Sequence, residues 1–196
     1  MHHLSARSQV LIGLGLAVLM AMTRGQHFAS VDNLPSASWA VFFLAGVYLR
    51  PRWAFALFFA EATLLDFGSL ASGTISDWCL SPVYWMLLLA YGCLWFAGRA
   101  FATHVQPSWR SPALLALSLA GTLVVAALVA HLISSGGFYF FSGRYAEPSL
   151  AGFIERMGIY YPRYLSNLAL YVTLVAIIHI GMAAFVRMQQ RATTLS

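Results

Sequence analysis

Residues 76–103 read SDWCLSPVYWMLLLAYGCLWFAGRAFAT. A polar break ends at Pro82, and an apolar run then continues to Thr103 with Arg99 as its one charge. A bilayer core about 30 Å thick takes about 20 residues of helix, so this run predicts a membrane-spanning helix. The pattern recurs at Ser8–Thr23, Leu34–Leu49, Trp53–Ala71, Pro112–Ser134 and Arg163–Val186. The first two runs are short. None is patterned like a barrel strand, and backbone in hydrocarbon must satisfy its own hydrogen bonds, which leaves helices. The expectation is an all-α integral membrane protein of six transmembrane helices, one domain over residues 1–196.

Composition agrees. The apolar fraction is 60% and the charged fraction 9%, against about 25% charged in an ordinary soluble domain. Mean hydropathy is +0.74. All 11 basic residues are arginine. They are scattered singly between apolar runs, which argues against a nucleic-acid surface. A chain without lysine has no Gly-x-x-x-x-Gly-Lys-[Ser/Thr] loop, so any ATP hydrolysis must come from another polypeptide. Two cysteines make no disulfide framework.

The first run has the length of a signal-peptide core, but Ala21-Met22-Thr23 is a poor cleavage site. Gly13, Ala17 and Ala21 put a smooth strip along one helix face, which suits close packing against another helix. A retained helix is the favoured reading. With the N-terminus in the cytoplasm, the inner segments carry Arg7, Arg50, Arg52, Arg99, Arg110, Arg187 and Arg191. The outer ones carry Arg24, Arg144, Arg156 and Arg163 beside Asp32, Asp77, Glu147 and Glu155. The arginine excess inside supports this orientation, with both termini cytoplasmic. The outer segments are then Arg24–Asn33, Ser72–Ser81 and Ser135–Pro162. The last is long for a helix connection. It holds Gly136-Gly137, an aromatic cluster from Phe138 to Phe141, Tyr145, and a short helix near Ser149–Met157 capped by Ser149. Together with Tyr160, Tyr161 and Tyr164 these aromatics read first as an interfacial belt. The second reading is a mobile lid over a large flat ligand.

Four polar residues share the outer depth band. Cys79 is either a small residue packed at a helix end or a reactive or ligating thiol. His27 follows the first helix, and Tyr84 opens the fourth. Asp66 lies about 7–8 Å below the outer end of the third helix, where an ionisable group faces a partner or a wet cavity. Their convergence from separate segments is the pattern of a binding site. Glu61 sits about 140° around the helix from Asp66 and stays outside that site, bonding a neighbouring helix or protonated. Cys93, half-way down the fourth helix, reads as packing. His131 and His179 lie at different depths, which excludes a haem between them. His2 and His3 sit at the expected cytoplasmic end.

Six short helices, the small-residue strip and the rich outer loops resemble the substrate-binding components of energy-coupling-factor vitamin transporters. More closely, Gln26-His27-Phe28, Leu65-Asp66-Phe67 and Asp77-Trp78-Cys79-Leu80-Ser81-Pro82 with Tyr84 resemble the BtuM family of solitary cobalamin transporters. The resemblance implies a multi-pass protein of the bacterial inner membrane that takes up cobalamin. It implies Cys79 as axial ligand to the cobalt of the base-off vitamin, a soft thiolate on a transition metal. His27, Asp66 and Tyr84 would hydrogen-bond the corrin rim or the displaced nucleotide, and Arg156 would suit its phosphate. It further implies an ancillary removal of cyanide from cyanocobalamin at Cys79, and docking of a coupling module on the Ala17/Ala21 face. Two other readings stand beside it: a ligand-free membrane scaffold of the cell envelope, and a membrane zinc or thiol enzyme using Cys79, His27 and Asp66.

Overall fold

The computed structural model describes residues 5–24, 34–73, 82–105 and 111–194. Among them every regular element is helical: α1 Ala6–Thr23, α2 Ser38–Tyr48, α3 Trp53–Ala71, α4 Met86–Ala100, α5 Pro112–His131, α6 Gly137–Phe141 and α7 Leu150–Thr194. A 3-10 turn, Pro82–Trp85, leads into α4, and a π turn, Phe101–Val105, ends it. A second π turn, Leu132–Gly136, joins α5 to α6 without a break. Five helical stretches among the described residues are long and apolar enough to cross a membrane. This is the pattern of a multi-pass membrane protein.

The predicted span Leu34–Leu49 is shorter than expected. Residues 34–37 lie outside any helix, and α2 begins at Ser38. Pro35 has no N–H to give a helix, and the Ser36 hydroxyl takes the Ser38 N–H at 3.4 Å. Pro51, just past Leu49, stops the helix at its other end. At 11 residues, α2 is about 17 Å long, well short of a hydrocarbon core of about 30 Å. Every residue from Ser38 to Gly46 is buried. A helix apolar all round belongs inside a bundle, and α2 packs on α4, α1, α7 and α3.

Two glycines allow the tightest crossing. A Cβ on Gly46 would overlap the Trp95 carbonyl oxygen, and one on Gly98 would overlap that of Phe43. The backbones of α2 and α4 therefore touch, as small residues permit between membrane helices. Phe42 stacks on Tyr91 with centroids 4.3 Å apart and meets Phe55 edge-on at 5.6 Å. On α1, a Cβ on Gly13 would meet the Leu49 side chain at 3.8 Å and Ala17 packs on the core, so part of the small-residue strip is used within the chain.

Polar contacts give the helix directions. At one end Arg24, closing α1, reaches Ser38 at the start of α2 and Asp66 late in α3. At the other, the Arg50 N–H donates to Gln9 at 3.0 Å, Arg99 donates to the Arg50 carbonyl at 2.9 Å, and Tyr48 meets His179 at 3.4 Å. The long helices and α2 thus alternate in direction.

The expected outer segment Ser135–Pro162 and the final helix Arg163–Val186 are both corrected. Gly136 and Gly137 do not break the chain into a loop. Gly136 faces the Phe153 ring, and a Cβ on Gly137 would overlap the Met86 side chain, so these glycines serve close packing within a continuing helix. Gly143, at φ +71°, ends α6 in the left-handed conformation that glycine adopts without steric cost. Only residues 142–149 connect α6 to α7. Ser149 caps α7 as the sequence predicts, its hydroxyl accepting the Gly152 N–H at 3.2 Å. The short helix near Ser149–Met157 and the last span are one helix of 45 residues that runs through Pro162. Proline leaves the Gly158 carbonyl without its i+4 donor. Contacts across the bundle hold the helix there, among them the Tyr161 hydroxyl donating to the Val124 carbonyl at 2.9 Å.

Candidate ligand cavity

A cavity of about 540 Å³ lies at the end of the bundle where α1 closes and α7 begins. Small-molecule sites run from about 300 to 1,000 Å³. Three of the predicted site residues, Asp66, Tyr84 and Arg156, line it together. His27 and Cys79 lie outside the described residues. Pro82, three residues after Cys79, opens the turn that carries Val83 and Tyr84 into the cavity wall.

Asp66 is not a bare carboxylate. Arg24 grips it with two hydrogen bonds, Nε to Oδ1 at 2.8 Å and Nη2 to Oδ2 at 2.7 Å. The Tyr84 hydroxyl donates to Oδ2 at 2.8 Å. Arg24 Nη1 donates to the hydroxyls of Ser38 and Tyr91, each at 2.8 Å. The guanidinium also lies 5.6 Å from the centroid of the Tyr91 ring. A forked guanidinium matches both carboxylate oxygens at once. The cluster ties α1, α2, α3 and α4 together at the cavity wall.

Sequence reasoning counted Arg24 as an outer-loop charge and missed this role. The structure buries it at 7% exposure. One signal pointed to it: a carboxylate below the membrane boundary needs a cation at its own depth, and Arg24 directly ends the first apolar run.

Arg156 also lines the cavity, from the second turn of α7. Its guanidinium lies 5.0 Å from the Tyr145 ring centroid, 5.2 Å from Tyr160 and 5.9 Å from Tyr139. Such a cage holds the cation through the ring faces. Among the described residues the one ion pair is Arg24–Asp66, and no described carboxylate neutralises Arg156. Its donors suit an anionic group, whereas Arg24 is already paired.

The aromatic segment after Gly137 is a helical wall where the sequence suggested a belt or a loop lid. Tyr139 packs on Phe153 and Tyr145, and its hydroxyl accepts the Ser149 N–H at 3.3 Å. Tyr164 stacks on Trp39 at 4.8 Å. Two further groups line the cavity that the sequence did not assign to it. His131 is 1% exposed, with Nδ1 3.2 Å from the Ser135 hydroxyl. The π turn Leu132–Gly136 presents Ser134 and Ser135 to the cavity, and π turns recur at functional sites. His131 and His179 sit at opposite ends of the bundle, in keeping with their expected difference in depth.

Glu61 lies off the cavity wall. Cys93 borders a separate apolar hollow with Phe96, Gly121 and Val125. Among the described residues no group of three His, Cys, Asp or Glu side chains is placed to hold a metal ion. No protein-family model matches the chain, and comparison with curated proteins found no match.

Proposed function

We propose that this chain is an uptake protein for cobalamin in the bacterial inner membrane. Both termini are cytoplasmic, and the cavity opens outward to receive the vitamin as substrate. One observation carries the reading: Asp66, Tyr84 and Arg156, drawn from three separate segments, meet on a single cavity at the end of the bundle where the turn beginning at Pro82, three residues after Cys79 in sequence, leads into α4. The Cys79 thiolate is the axial ligand to cobalt and replaces the vitamin's own benzimidazole. Arg156 takes the nucleotide phosphate. Tyr84, and His27 from its own segment, bond the amide rim. Asp66 acts chiefly through Arg24 and Tyr84, which already fill most of its acceptor capacity. The aromatic walls suit the broad apolar face of a corrin.

A thiolate opposite cyanide weakens the cobalt–carbon bond. Cyanide leaves with the bonding pair, cobalt(III) keeps its oxidation state, and no external oxidant or reductant enters. A coupling module docking on the Ala17/Ala21 face is part of the same proposal. The engagement of Asp66 by Arg24 weighs against a zinc enzyme built on Asp66.

The test is the visible absorption spectrum of purified protein with cobalamin, wild type beside Cys79→Ala. Wild type gives a base-off, thiolate-ligated spectrum and the variant does not. Identical spectra overturn cobalt ligation by Cys79.

A further inference from the structure

Glu61 is a carboxyl that the cavity and its clamp leave unexplained. It sits eight residues after Trp53 and ten before Ala71, close to the middle of α3. That places it about 12 Å from one end of the helix and 15 Å from the other, near the centre of the hydrocarbon core if α3 spans it. The side chain is half-buried. No hydrogen bond or ion pair links it to any described residue.

The groups around it are few. Helix α3 packs on α1, α2 and α4. On α1 the charged groups are Arg7 and Arg24 at the two ends. On α2 the single titratable group is Tyr48, at the far end. On α4 and its leading turn they are Tyr84, Tyr91, Cys93 and Arg99. Of these, Arg24, Tyr84 and Tyr91 are engaged with one another and with Asp66, one and a half turns along α3. An ionisable residue at mid-depth in a membrane helix, with no cation bound to it, points to an ion or proton path.

We infer that Glu61 is a proton-binding site and that uptake through the neighbouring cavity is coupled to proton movement at this carboxyl. The coupling rests on the uptake reading; the proton site does not. Glu61 takes up its proton on the half-buried flank of α3, and on release the proton passes to water on the inner side while the carboxylate comes under the field of Arg24. The ligand of the site is the proton itself, so nothing beyond a pH gradient is needed to drive it.

Two measurements on the full-length protein test this. Dicyclohexylcarbodiimide modifies carboxyls in their protonated form within apolar surroundings. In proteoliposomes at neutral pH it is expected to label Glu61 in preference to Glu147 and Glu155, with labelling that falls as pH rises. Failure to label Glu61 overturns the proton site. In the same vesicles, cyanocobalamin accumulation should respond to an acid-outside gradient, each pH unit being worth up to about tenfold per proton. Glu61→Gln should still bind cobalamin but accumulate it independently of the gradient. A variant that keeps the wild-type response overturns the coupling. A wild-type protein that binds no cobalamin, yet is labelled at Glu61, refutes the uptake reading and its coupling together and leaves the proton site standing.

Discussion

Replacing Arg24 by Gln removes the cation from a clamp that joins four helices. The guanidinium makes four hydrogen bonds, two to Asp66 and one each to Ser38 and Tyr91. The side chains of Arg24 and Asp66 are 9% and 19% exposed. Breaking a buried pair by removing one partner costs about 3–5 kcal/mol, because the other charge is left uncompensated. The residual exposure of Asp66, and its remaining bond from Tyr84, place the loss near the lower bound, about 3 kcal/mol. For a chain of this size that is about 6–12 °C in Tm. Asp66→Asn should cost a similar amount, since it strands the guanidinium. The double variant Arg24→Gln/Asp66→Asn should lose less than the sum of the two, by about 2 kcal/mol, because neither leaves a buried charge behind. Thermal melts of the detergent-solubilised protein, followed by near-ultraviolet circular dichroism of the aromatic core, measure all three. Additive single losses, or an Arg24→Gln melt within 2 °C (about the experimental spread) of wild type, would refute the clamp.

Further substitutions probe the packing and the cavity. Gly46→Ala and Gly98→Ala should each lower the melting temperature sharply, because the new methyl meets a backbone carbonyl of the facing helix. Gly121→Ala, where a Cβ meets open space, should be neutral or stabilising by up to about 1 kcal/mol from helix propensity in the same melts. Tyr84→Phe removes one donor to Asp66 and should cost about 1–2 kcal/mol, with the helix content by circular dichroism unchanged. Arg156→Gln should leave the melt near wild type, since its contacts are to ring faces, while weakening cobalamin binding about tenfold, as expected for a lost charge-assisted bond of about 1.5 kcal/mol. Equilibrium binding by fluorescence quenching reads that change.

Much of this architecture was legible in residue order because membrane helices announce themselves by length and apolarity. The limits of α3, Trp53–Ala71, coincide with the predicted run. The fourth run differs only in how its ends are wound, and the Ser149 cap follows from one hydroxyl ahead of a helix start. Three features were hidden, each for a physical reason. Hydropathy counts apolar residues and cannot distinguish a span from a short helix buried on all sides, so α2 looked longer than it is. Gly136-Gly137 and Pro162 read as breakers in water, yet in a packed bundle glycine serves close approach and a prolyl break is bridged by neighbouring helices. The partner of Asp66 was obscured because Arg24 sits at a boundary, where a charge looks like a loop residue until the fold turns it inward. Convergence of Asp66 and Tyr84 on one cavity was foreseeable from depth, Arg156 was suggested only by the family resemblance, and the contributions of His131, Ser134 and Ser135 depend on the π turn, which no local composition signals.

Protection of one thiol tests the vitamin, the ligand and the orientation together. In right-side-out vesicles, a membrane-impermeant maleimide added outside should modify Cys79, and cobalamin added beforehand should block that modification. Cys93, half-buried beside an apolar hollow in α4, provides the internal control. Labelling that proceeds equally with and without the vitamin, or that occurs only when the reagent reaches the inner face, would contradict the assignment.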